Sequence, residues 1–116
     1  MHIVDASVLE TRNVLSDEEV IARVLAGRTA LFEVLMRRHN ERLYRAARAI
    51  LRDDEAAEEV IERAYLNAYA RLRQFTGKVP AAIWLTELAI QESFAGLERR
   101  RTATPANNSS ADEGFA

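Results

Sequence analysis

Cysteine is absent from the 116 residues, which excludes disulfides and thiolate zinc sites. No apolar run approaches the roughly 20 residues that a membrane span needs, so membrane insertion is not expected. The first residues, Met1-His2-Ile3-Val4-Asp5, lack the basic stretch and hydrophobic block of a secretory signal, and the cytoplasm is the expected compartment. There is no Gly-rich phosphate loop, no His-Glu-x-x-His and no serine elbow. His2 and His39 are the only histidines, and the carboxylates around residues 53–62 have no histidine at a ligand-like spacing. The expectation is a protein that is not an enzyme and uses neither a metal nor a cofactor.

Lysine is almost as scarce. Of the 16 basic residues only Lys78 is a lysine, and the net charge is −2. A GC-rich genome accounts for such an arginine bias as readily as phosphate recognition does. Acidic residues gather around 17–19, 53–62 and the C-terminal tail, so a protein acidic in sum can still present a local basic surface. With 48% apolar residues, the length suits one domain with a modest core.

Periodicity over residues 16–101 predicts an all-α, compact bundle of four helices, a short first one and three longer ones, with an arm over 1–15 and a flexible linker or tail over 102–116. Ser16-Asp17-Glu18-Glu19 is a capping box that opens the first helix, which ends at Gly27. The second helix spans about Thr29 to Leu51, with an apolar stripe of Phe32, Leu35, Met36, His39, Leu43, Ala46, Ala47 and Ile50. His39, on that stripe, reads as a hydrogen-bonded core residue rather than a ligand. At about 100° per residue, Arg37, Arg38, Arg42, Arg45, Arg48 and Arg52 fall on the opposite side, interrupted only by Glu41. That side is either a solvated outer face or a surface for an anionic partner.

Asp53-Asp54 makes the turn into the third helix, whose inward stripe is Ala57, Val60, Ile61, Ala64, Tyr65, Ala68, Tyr69 and Leu72. Its outward face carries Glu58, Glu59, Glu62, Arg63 and Asn67 around Leu66. Leu66 is either a lone exposed leucine, which needs no explanation, or a docking anchor. A loop over 73–80 leads to a fourth helix that runs to about Arg100. That helix has two apolar stripes, one of Trp84, Leu85, Leu88 and Ala95 and one of Ile83, Ile90, Phe94 and Leu97. A helix apolar on two sides is central to the bundle or touches something beyond its own core. Gly96 in its interior signals close packing or early fraying.

From Leu15 to Arg101 the segments resemble, in order, region 2 of the bacterial sigma factors of the extracytoplasmic-function class, in the sigma-70 family. The matching stretches are Ala30 to Leu35 with Arg37-Arg38-His39 and Arg42-Leu43-Tyr44, then Ala56 to Tyr69, then Phe75-Thr76-Gly77 and Trp84-Leu85-Thr86 through Glu92 with the arginine run at 99–101. The resemblance implies docking on the clamp coiled coil of RNA polymerase core through Glu58, Glu59, Glu62, Arg63, Leu66 and Asn67. It also implies binding of the non-template strand of the promoter −10 element, for which Arg45, Arg48, Phe75, Lys78, Trp84, Gln91, Arg99 and Arg100 are the candidates. Melted DNA exposes bases that aromatic side chains can stack on, while cations neutralise the backbone. The implied partners are the polymerase core, single-stranded promoter DNA and an anti-sigma factor.

Three departures motivate an alternative. The chain has Glu62-Arg63 where family members usually have Gln-Glu and Gln91 where an asparagine is usual, and nothing after Arg101 could form the helix-turn-helix of region 4. The alternative is a stand-alone, diverged module of the same fold that binds an anti-sigma partner or a copy of itself without initiating transcription.

Overall fold

A computed structural model describes residues 15–108, with side chains through 103. The expected arm therefore lies outside the described residues except for Leu15, as do residues 109–116 of the tail. Ser16 caps helix α1 (Asp17–Leu25): its hydroxyl accepts from the Glu19 amide at 3.0 Å, and Glu19 accepts from the Ser16 amide at 2.8 Å. Both members of the predicted capping box are thus present. The helix stops in a Schellman turn, with the Arg28 amide on the Arg23 carbonyl and the Gly27 amide on that of Val24. Gly27 adopts φ 115°, which a side chain would make costly.

A 3₁₀ turn over Thr29–Leu31 leads into α2 (Phe32–Leu51), which ends on Arg52 in the left-handed conformation at φ 59°. Asp53 then caps α3 (Asp54–Ala70) by accepting from the Ala56 amide at 2.8 Å. A second 3₁₀ turn, Leu72–Gln74, and a loop bring the chain to α4 (Ala81–Asn108), with the Pro80 carbonyl accepting from Trp84. Helices α2, α3 and α4 each pack on the other two, while α1 leans chiefly on α2 and the turn before it. Leu31, Leu35, Leu43, Leu72 and Leu85 are fully buried among them, each worth about 1.5–3 kcal/mol of transfer free energy.

The short helix α1 cannot stand by propensity alone, and a polar latch ties it down. Asp17 accepts from Arg38 at 2.9 Å and meets His39 Nε2 at 2.8 Å, and Arg38 also donates to the Leu15 carbonyl at 2.7 Å. In the tautomer this network selects, His39 Nε2–H donates to Asp17 while Nδ1 faces the Arg42 guanidinium at 3.4 Å. His39 is buried and partnered, as its place on the stripe indicated.

Three expectations need correction. The inward line of α4 keeps Leu85 and Leu88 of the first predicted stripe, with Trp84 half-buried beside them and Ala95 exposed, but otherwise runs through Ala81, Ala89, Ser93 and Gly96. Alanine, serine and glycine carry little hydrophobic signal, yet they let helices approach closely. A Cβ on Gly96 would sit 3.1 Å from Val60 Cγ2, so this glycine marks close packing rather than fraying. Tyr69, placed on the inward stripe of α3, is 46% exposed. Finally, α4 continues to Asn108 rather than ending near Arg100. Thr102 Oγ1 donates back to the Arg99 carbonyl, and Ala103 favours helix.

Candidate functional site

The outward face of α3 carries the most exposed large hydrophobic side chain among the described residues. Leu66 is 69% exposed, with exposed Glu62 and Arg63 beside it on the helix surface. Next to it an open groove of about 690 Å³ runs between α2 and α3. Its floor is apolar, from Phe32, Met36, Ile61, Tyr65 and Tyr69, and its rim carries Glu55, Glu58, Glu59 and Glu62. Phe32 holds that floor in shape by edge-on contacts with Tyr69 (5.2 Å between centroids) and Tyr65 (6.3 Å). Tyr65 donates to the Met36 carbonyl at 3.0 Å, and burial pushes its phenol up to about 12. Among the described residues, only Glu59 of the four rim carboxylates makes an ion pair, a loose and exposed one with Arg63 at 3.9 Å. Exposed Leu25 shares a second depression with Tyr69, so an apolar strip continues from Leu66 through Tyr69 to the end of α1.

Phe32, Met36, Tyr69 and Leu25 were not among the sequence candidates for this surface. For Met36 and Tyr69 the signal was ambiguous, because an apolar residue on an inward stripe reads as core until the neighbouring helix fails to cover it, whereas Phe32 is core and lines the groove only as its floor. Asn67, by contrast, was a candidate for docking, and the structure turns it toward α4, where its amide donates to Glu92 at 2.7 Å.

The candidates for DNA contact fall into separate places. Phe75 and Trp84 meet with ring centroids 5.2 Å apart and planes tilted by 52°, half-buried against the core, where the loop joins α4. Lys78 is exposed on the same loop and Gln91 is exposed halfway along α4. Arg99 and Arg100 lie further along it, past its midpoint, where Arg100 also donates to the Leu51 carbonyl at 3.3 Å and so helps close α2. Between Ala81 and Ala95 the fourth helix has no lysine or arginine at all.

The arginine side of α2 is largely neutralised. Arg37 pairs with Glu33 at 2.8 Å, Arg38 with Asp17, Arg45 with Glu41 at 2.7 Å and Arg48 with Asp54 at 2.6 Å. The Arg48 hydrogen bond, followed by that of Tyr44, holds the Asp54 carboxyl below the usual carboxylate range, and the same contact raises the Tyr44 phenol. Asp17 and Asp54 come from other segments, which is why the helical wheel alone counted six cations against one acid. Among the described residues, no cluster of His, Asp or Glu is placed to hold a metal ion, and no helix is long and apolar enough to cross a membrane.

Comparison with known proteins converges on one family. The model for Sigma-70 region 2 matches residues 35–103. The ECF RNA polymerase sigma factor SigM of Mycobacterium tuberculosis H37Rv is 33% identical over 90 residues, covering 78% of this chain and 46% of SigM. The protein of the same name from the Erdman strain is 32% identical over the same length. The RNA polymerase sigma-H factor of Pseudomonas aeruginosa is 24% identical over 97 residues, covering 84% of this chain and 50% of that protein. The chain thus spans about half the length of the curated relatives it matches. No solved structure matches it significantly.

Proposed function

The chain belongs to the sigma-70 region 2 family, and from that premise we propose that it docks on RNA polymerase core through α3 and meets the promoter −10 element through α4. The observation that carries this reading is the exposed Leu66 beside an apolar groove rimmed by carboxylates. An apolar anchor with a polar surround is how a helix face docks on a partner, because the surround excludes water from the central contact. The carboxylate rim calls for cations on the partner helix, here the clamp coiled coil, and steers its approach. Glu58, Glu59, Glu62 and Arg63 set that charge pattern, and Asn67 acts from behind by tying α3 to α4.

On the DNA side, the tilted Phe75–Trp84 pair offers an aromatic surface to an unstacked base, and Gln91 offers an amide to a base edge. Lys78 on the loop before α4 and Arg99 and Arg100 past the midpoint of the helix bracket the strand. Arg45 and Arg48 are already engaged by Glu41 and Asp54 and contribute less. The protein acts by binding alone, in the cytoplasm, without catalytic chemistry. One observation favours the second reading, a diverged interaction module: the first half of α4 presents Ile83 and Phe94 to solvent and has no cation.

The test is binding of the labelled chain to purified polymerase core, followed by fluorescence anisotropy across a salt series. Saturable binding that an intact sigma factor displaces supports the first reading. Absence of binding at low salt, with helicity intact, refutes it.

A further inference from the structure

The outer face of α4 is only partly used by the bundle, Leu97 alone on it packing against the edge of the core. Ile83 is 47% exposed and Phe94 57%, while Ile90 and Leu97 between and beyond them are half-buried. With Glu87 and Arg101 they form a line at alternating steps of four and three, the seven-residue repeat that keeps one seam facing a partner helix. Its charges are ordered: the acid Glu87 lies toward the N-terminal end and Arg101 toward the C-terminal end.

We infer that this face pairs α4 antiparallel with α4 of a second copy of the chain. A two-fold axis requires the same patch on both sides to be self-complementary. With Ile90 set opposite Phe94 of the second copy, Phe94 meets Ile90 in return. Glu87 then falls opposite Leu97 and one turn from Arg101 of the second copy, within reach of an ion pair formed twice. Ile83 is covered by the methylene stem of that arginine, whose head stays in water. The parallel arrangement would instead set Glu87 against Glu87 and Arg101 against Arg101, so charge selects the direction. Arg101 now pairs with Glu98 at 2.8 Å, but both side chains are well exposed and such a pair is exchanged at little cost. The pairing does not rest on the promoter reading. If α4 does read DNA, Gln91 lies beside Ile90, and the dimer and the DNA exclude each other.

A single helix face is smaller than a standard interface, so association is weak, with a dissociation constant of roughly tens to hundreds of micromolar. Sedimentation velocity of the 116-residue chain should therefore show the weight-average coefficient rising with concentration up to about 1 mM. Phe94→Glu should weaken association by at least about tenfold, as loss of a central aromatic contact does, with circular dichroism unchanged. Glu87→Arg and Arg101→Glu should each weaken it, and the two together should restore it, which a folding defect would not reproduce. A chain that stays monomeric throughout overturns the inference. So does a dimer indifferent to Phe94→Glu or to the charge exchange. A monomer that loses binding to a −10 oligonucleotide with Phe94→Glu assigns the face to DNA instead, and also overturns it.

Discussion

Replacing Leu66 by alanine tests the proposed docking face most directly. In the free chain the side chain is 69% exposed, so folding gains little from it. Alanine is at least as good a helix former as leucine, and the change in stability should stay within about 0.5 kcal/mol. Docking is different. Complete burial of a leucine is worth about 1.5–3 kcal/mol, and the exposed fraction leaves about 1–2 kcal/mol to be gained on binding. At about 1.4 kcal/mol per decade, that corresponds to a five- to thirtyfold weaker dissociation constant for polymerase core. Leu66→Asp should do more, because the new carboxylate would be desolvated next to Glu62. The assay is competitive anisotropy against an intact sigma factor, with the urea midpoint measured in parallel. A Leu66→Ala protein that binds within twofold of the original while keeping its urea midpoint would refute the reasoning. A large fall in the midpoint would show instead that Leu66 supports the fold.

Three further outcomes are expected. Asp17→Asn removes the carboxylate shared by Arg38 and His39, and should lower the unfolding free energy by about 1–3 kcal/mol in urea, a discount from a fully buried pair because Arg38 remains about one-fifth exposed; a loss under about 0.5 kcal/mol would mean that the latch carries no stability. Tyr65 should titrate near pH 12 by absorbance at 295 nm. Its raised value favours the neutral phenol in the fold, so this contribution to stability is complete below the unfolded value of about 10 and is lost as the pH rises through about 12; titration at about 10 in the folded chain would contradict the burial. Arg45→Gln with Arg48→Gln should change the salt slope of DNA binding by less than one charge, since both arginines already serve carboxylates; a change near two would place them on phosphates.

The capping box at Ser16, the turn at Gly27 and the cap at Asp53 were legible because each is a local contest among a few neighbouring backbone groups. The stripes of α2 and most of α3 were legible because periodic leucines, valines and isoleucines leave a helix only one face to bury. The order of segments that marks the family needed no coordinates either. Leu66 could be singled out from its polar neighbours, but its two readings could not be separated there.

Tertiary structure decided the rest. Which side of α4 turns inward depends on close approach at Ala89, Ser93 and Gly96, and closeness is a property of two helices rather than one. Tyr69 became a wall of a groove because no neighbouring helix covers it on that side, while Phe32 stays buried beneath it. Arg38 and Arg48 of α2 lost much of their field because Asp17 and Asp54 arrive from outside the helix. Local sequence determines helices and their ends through backbone hydrogen bonds and side-chain spacing. The surfaces left for partners are set by what each helix fails to bury, and that exists only once the helices have packed.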